Sequence, residues 1–182
     1  ILEEALSKGG KPLWTIQSME HEENWRDFSY RADLYGEFGI MLGRSFGSLK
    51  EGTTLGYILI RMNEKAILDK YKDLDLGEGA NIFILDEHAR VVSSRTMDMK
   101  KASLYEDPAL IQKIYEHERN GVYSFPETIA GTSYLVTYSP ISNANWYLVS
   151  TIPFSYLNAE PVQIGVYIAL LGIICFLLAL IL

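Results

Sequence analysis

Residues Ser133 to Ile152 read SYLVTYSPISNANWYLVSTI. This stretch decides the fold. Ser133 to Ile141 and Trp146 to Ile152 each read as a strand, in which every second residue shares a face. The connector Ser142 to Asn145 is short enough for a hairpin. Just upstream, Val122 to Ile129 reads as a third strand, joined through Ala130-Gly131-Thr132, so the three form a meander.

Working outward, Asp107-Pro108 opens a helix that runs through Leu110, Ile111, Ile114 and Tyr115 to a stop at Asn120-Gly121. Before it, Asn81 to Leu85 (NIFIL) and Val91 to Arg95 (VVSSR) are predicted strands around a turn at Asp86 to Arg90. Residues 78 to 153 therefore have the order strand, strand, helix, three-stranded meander. That is an α+β fold, a central antiparallel sheet with helices on one face. Further upstream, Ile1 to Ser7 reads as the end of a helix closed by Gly9-Gly10. Pro12 to Gln17, Phe38 to Phe46 and Leu55 to Met62 read as strands, the last two joined by a turn containing Gly47, Lys50 and Gly52. His21 to Asp27 reads as a loop. Asn63 is a good N-cap for a helix over Glu64 to Tyr71.

Downstream, Pro153 ends the last strand, and a helix can begin at Phe154. Val162 to Leu182 (VQIGVYIALLGIICFLLALIL) carries no charge and one strongly polar residue, Gln163. At the rise of an α-helix it covers roughly 30 Å, about the apolar thickness of a bilayer. It is expected to be a transmembrane helix, with Pro161 kinking it or standing in its first turn. Ile1 and Leu182 read as cuts in a longer protein, and no signal peptide is visible. The net charge of -7 lies wholly before the span. An acidic domain beside a membrane is a poor partner for nucleic acid or anionic headgroups. The single cysteine, Cys175, lies inside the span, so the domain has neither disulfide nor thiol chemistry. The nearest basic residue before the span is Arg119, which favours an extracytoplasmic side for residues 1–160.

Three strings carry a family resemblance: GYILIRMNEKAIL (Gly56 to Leu68), NIFILDEHARVVSS (Asn81 to Ser94) and SYLVTYSPISNANWYLVSTIPFSYL (Ser133 to Leu157). In this order they resemble the extracellular Cache region of bacterial sensor histidine kinases of the YesM type, over about residues 10 to 182. The resemblance implies a PAS-like Cache fold in three parts. Residues 1–77 would be the C-terminal part of a membrane-distal module with its connecting helix. Residues 78–153 would be the membrane-proximal domain, and residues 154–182 the juxtamembrane and transmembrane helix. It departs from the family's pattern at Ala89, where glycine is usual, and at Ala144-Asn145-Trp146, where Asn145 stands for a glycine. Asparagine tolerates the left-handed conformation that such a turn needs.

No enzyme site is legible. Gly77-Glu78-Gly79 lacks the rest of a phosphate loop. His21, His88 and His117 are far apart, and His21-Glu22-Glu23 reads as a solvated acidic loop rather than a metal patch. Asp86 reads as a turn residue that bonds its own backbone. No cofactor is expected. A ligand site has candidates in Arg95, Tyr105, Tyr115, Tyr123, Tyr134 and Tyr138, with Phe125 and Trp146 beside them. Tyr134 and Tyr138 share a strand face, as do Tyr123 and Phe125. An aromatic pocket with an arginine for a carboxylate would suit an amino acid or organic acid, and a sugar is a further possibility. The same residues also read as packed core. Trp14, Arg44 and Tyr57 would belong to the distal module, and Tyr123, Tyr138 and Trp146 could mark a homodimer face.

The expected function is extracytoplasmic signal sensing. Trp146 to Ile152 would pass a ligand or conformational signal into the membrane helix, with Pro153 and Pro161 setting the stiffness of the joint. The resemblance implies a bacterial cell-membrane location and a histidine kinase output acting on a cytoplasmic response regulator. The alternatives are a chemoreceptor carrying the same sensor and a membrane-anchored structural domain without a ligand.

Overall fold

A computed structural model describes residues 4, 7–18, 38–48, 53–96, 99–158 and 167–175. The elements run β1 (Leu13–Ser18), β2 (Phe38–Gly47), β3 (Thr54–Asn63), α1 (Lys65–Leu68), β4 (Asn81–Leu85), β5 (Val91–Ser94), α2 (Ala109–Arg119), β6 (Ser124–Ile129), β7 (Thr132–Ile141), β8 (Trp146–Pro153) and α3 (Phe154–Leu157). They form two antiparallel sheets, one of order β1-β2-β3 and one of order β5-β4-β8-β7-β6.

The meander read from Ser133 to Ile152 is present, and its last strand lies at the centre of the five-stranded sheet. β8 pairs with β7 from Tyr134↔Pro153 to Ile141↔Trp146, and with β4 from Asn81↔Thr151 to Leu85↔Tyr147. Its side chains alternate between two cores. Tyr147 and Val149 point to one face, with Phe83, Leu85, Val136, Tyr138 and the buried stripe of α2 at Leu110, Ile111 and Ile114. Trp146 points to the other, with Ile16, Ile40, Tyr71, Ile82, Ile84 and Val92. The expectation of helices on one face is therefore incomplete. α2 covers one face, and residues of β1, β2 and the α1 segment cover the other. A central strand flanked on both faces has little access to water, which is why polar Thr151 is also buried, while Leu148, Ser150 and Ile152 stay half-buried.

The turns explain themselves locally. Ile129 pairs with Thr132, so the β6–β7 hairpin has a two-residue loop, Ala130-Gly131, at φ 50° and 81°. Positive φ at both central residues matches the right-handed strand twist. Thr132, expected in the connector, belongs to the strand. Asn145 takes the left-handed conformation at φ 55°, and Ala89 takes it at φ 60° in place of glycine. That conformation costs an alanine about 1 kcal/mol or more. The Asp86 carboxylate offsets it by accepting the N–H groups of His88 (2.9 Å) and Arg90 (2.8 Å), while its other oxygen accepts Arg90 Nε at 2.7 Å. Asn63 Oδ1 accepts the Lys65 N–H at 2.9 Å, as a cap does. The helix it starts is a single turn, shorter than the expected Glu64 to Tyr71. Beyond Leu68 the chain tightens, with Lys70 N–H bonding Ile67 O and Tyr71 N–H bonding Leu68 O.

Residues 167–175 are helical and exposed. Among the described residues no helix is long and apolar enough to cross a membrane. The rest of the expected span, Pro161, and the expected loop His21 to Asp27 lie outside the described residues.

Glu64, at the end of β3, is 4% exposed and sits where the two sheets meet. It accepts Lys101 Nζ at 2.5 Å and Ser93 Oγ at 2.5 Å. The Ser93 proton is thus committed, and the Tyr71 hydroxyl donates to Ser93 Oγ at 2.6 Å. Lys101 can turn toward water, whereas Glu64 cannot. Lys101→Met should therefore cost more, about 3 kcal/mol, because it leaves a buried carboxylate without its counter-charge. Glu64→Gln should cost about 1.5 kcal/mol. Urea denaturation of both variants checks the order, and an equal or reversed ranking would contradict it.

Burial pushes the hydroxyl pKa values of Tyr71 and Tyr105 up to about 12. In the unfolded chain both ionise near 10. Folding is thus favoured by their neutral forms, fully so below pH 10, and that contribution is lost as pH rises from 10 to 12. Absorbance titration should show exposed tyrosines ionising first and these two only with alkaline unfolding. Ionisation of all tyrosines in one step near pH 10, with the fold intact, would refute the burial argument.

Candidate functional site

The predicted ligand residues separate into two groups. The tyrosines lie on the α2 face. Tyr105 stacks on Phe83 with centroids 4.9 Å apart. Tyr138 packs against Tyr123 (5.7 Å), Phe125 (6.2 Å) and Tyr147 (6.1 Å), and Tyr115 meets Tyr147 edge-on at 5.5 Å. His117 stacks on Phe125 at 4.1 Å, and Tyr134 lies half-buried against the same cluster. Two of the hydroxyls are occupied: Tyr138 donates to Val122 O at 2.6 Å, and Tyr147 to Glu118 Oε2 at 2.7 Å. Burial, then the Glu118 bond and charge, hold the Tyr147 hydroxyl well above its ordinary pKa. Among the described residues no buried side-chain nitrogen or oxygen lacks a partner. This cluster fixes α2 to the sheet, helped by the Lys113–Glu127 ion pair at 2.6 Å, which pulls the Glu127 carboxyl below its ordinary pKa.

Arg95 is not among these tyrosines. A register shift between Ile84 and Leu85 places Val91 opposite Leu85 and Ser93 opposite Ile84. Val91 therefore faces α2, while Ser93 faces Tyr71 and Glu64. Arg95 follows at the strand end, and its guanidinium donates to Leu74 O (2.6 Å) and Ala80 O (2.5 Å). It staples both ends of the 74–80 loop to the sheet.

That loop receives the end of β8. Gly77 has φ 98° and Gly79 φ 74°. A Cβ on Gly77 would run into the Tyr156 ring, and one on Gly79 would stand 3.1 Å from Pro153 Cγ. The two glycines thus supply a left-handed backbone and leave room for the α3 residues above them. Of the residues expected to couple, Trp146 starts β8 and meets Trp14 edge-on at 5.8 Å, and Pro153 ends it on the glycine loop. Tyr156, Gly77, Gly79, Glu64 and Lys101 were not legible as a joint. The only local signal was the pair of glycines, which as a motif suggests a phosphate loop more readily than a packing cradle.

Residues 8–160 match the Cache domain family. The extracellular domain of the candidate histidine kinase mmHK1S-Z3 is 14% identical with a TM-score of 0.58, over 89% of this chain and 55% of that one. That of the candidate histidine kinase rpHK1S-Z16 is 14% identical with a TM-score of 0.55, over 79% and 54%. The ligand-binding domain of the Pseudomonas fluorescens chemoreceptor CtaA, solved with L-isoleucine, is 14% identical with a TM-score of 0.52, over 83% and 55%. This chain spans about half the length of these solved domains, and the likeness is one of fold. No curated protein matches the sequence. With the match extending from the segment before β1 to the end of α3, the chain belongs to the Cache domain family.

Proposed function

We propose that this chain is the extracytoplasmic sensing segment of a bacterial membrane receptor, and that its output is a two-component histidine kinase. Residues 1–77 are the end of a membrane-distal module, residues 78–153 the membrane-proximal domain, and residues 154–182 lead into and across the membrane. The receptor works as a homodimer and hands its signal to a cytoplasmic response regulator. One observation carries this reading: the central strand β8 passes at Pro153 directly into α3, with no intervening loop. Anything that shifts β8 relative to the glycine loop must move the chain that follows. A ligand drives this only as far as it binds one arrangement better than the other. A chemoreceptor output fits the same mechanics, and one of the similar solved domains comes from a chemoreceptor.

In this reading Arg95 holds the loop on which Pro153 and Tyr156 rest. Trp146, Pro153 and Pro161 lie along the path of the signal. Tyr105, Tyr123, Tyr134 and Tyr138 transmit ligand binding through the packing of α2 rather than by open contact with the ligand, while Tyr115 stands at the edge of that packing. The ligand is a small molecule, an amino acid, organic acid or sugar.

Tyr156 is 43% exposed, so Tyr156→Ala should change stability by less than about 1 kcal/mol. It should nonetheless alter the signal output of the full receptor several-fold, because the ring resting on Gly77 is gone. Trp146→Ala should abolish coupling and also lower the melting temperature, since it removes a buried aromatic. Output identical to the parent in both variants would rule out the strand-to-helix path. In a thermal-shift screen of the whole chain with amino acids, organic acids and sugars, a cognate ligand at one hundred times its Kd should stabilise by about 2.7 kcal/mol. A flat response to every compound would count against direct small-molecule sensing.

A further inference from the structure

Two grooves meet at the tip of the β7–β8 hairpin, beside the Trp14–Trp146 contact. One, of about 440 Å³, is bordered by Lys8, Lys11 and Trp14. The other, of about 370 Å³, is bordered by Tyr115, Glu118 and Tyr147. Glu87 and Asn145 line both, so the two grooves adjoin. Each is within the size range of small-molecule sites.

The charges along this cleft are sorted. Lys8 and Lys11 stand at one end, and Glu87 and Glu118 flank the aromatic end. Among the described residues none of the four has an ion-pair partner, and they do not pair with one another. Glu87 only accepts the Asn145 amide at 3.2 Å, and Glu118 only accepts the Tyr147 hydroxyl. The negative field at the aromatic end is felt by Tyr115, whose hydroxyl pKa is pushed up by burial and then by Glu87 and Glu118. Asn143 lines the lysine groove and Asn145 lines both grooves, and side-chain amides can match an amide group on both its N–H and C=O sides.

We propose that this cleft binds an extended zwitterion of the short-peptide class. The ligand's ammonium group lies between Glu87 and Glu118 beside Tyr115, where an aromatic ring and carboxylates both favour a cation. Its carboxylate meets Lys8 and Lys11, and its peptide group lies along the asparagines. The proposal rests on the reading of this chain as a sensor, and it names the ligand and its place. The cleft joins the segment leading into β1 to the turn leading into β8. A ligand spanning it would tie the three-stranded sheet to the first residue of the output strand.

The test is isothermal titration calorimetry of the full chain in detergent micelles with the dipeptides Leu-Gly and Phe-Gly, each also as its N-acetyl and its C-terminal amide form. Blocking either terminus should weaken binding about tenfold, the loss of one charge-assisted bond. Glu87→Gln with Glu118→Gln should erase the preference for a free amine and leave the preference for a free carboxylate. Lys8→Gln with Lys11→Gln should do the reverse. These positions are at or near the surface, and unchanged melting temperatures would confirm folding. No heat from either dipeptide overturns the proposal. So does dipeptide binding that both double variants leave untouched. A compound from the thermal-shift screen that stabilises the parent and both double variants equally would also overturn the cleft, while leaving the sensor reading in place.

Discussion

The structure depends on one constraint: β8 has neighbours on both edges and packed side chains on both faces. Its hydrogen bonds are shared between β4 and β7, and its side chains are divided between two cores. Such a strand cannot slip by one residue without exchanging the two sets of side chains. Tyr147 would then leave Glu118 and the α2 cluster, and Trp146 would leave Trp14. The strand is free to move only together with what it touches. In the signal path proposed above, that rigidity is the useful property.

The rest of the molecule holds the two ends of this strand. At its start, Trp146 lies against Trp14, so the β1 sheet and β8 share a contact. Near its end, Pro153 and Tyr156 lie over Gly77 and Gly79, and Arg95 fastens that loop through two carbonyls. Between the sheets, Glu64, which directly follows β3, is joined to Ser93 of β5 and to Lys101. A buried ionic link of this kind is weak evidence for stability, since an apolar replacement of the same shape can be as stable. Its value here is geometric. The carboxylate has partners in only one arrangement of the two sheets.

Much of the fold was readable because the meander and the β4–β5 hairpin are local. Alternation along Ser133 to Ile141 and Trp146 to Ile152 sets which residues share a face, and Asn145 announces its own turn. The candidate site was less readable. Arg95 was grouped with the tyrosines because nothing local signals the register shift that sends Ser93 to the opposite face. Glu64 reads as an ordinary helix-start residue until Lys101, distant in sequence, is brought to it. Gly77 and Gly79 announce a turn without saying what rests on it.

Local chemistry in the sequence thus determined most strands, the main helix, the existence of the hairpins and the cap at Asn63, because each depends on residues a few positions apart. Only the tertiary structure decided that β8 is central, that the sheet is covered on both faces, that Arg95 is a staple and that the groove beside Lys8 adjoins the groove beside Glu118. Those facts depend on which distant surfaces meet. Burial and pairing are properties of the packed chain, and no short stretch of sequence carries them alone.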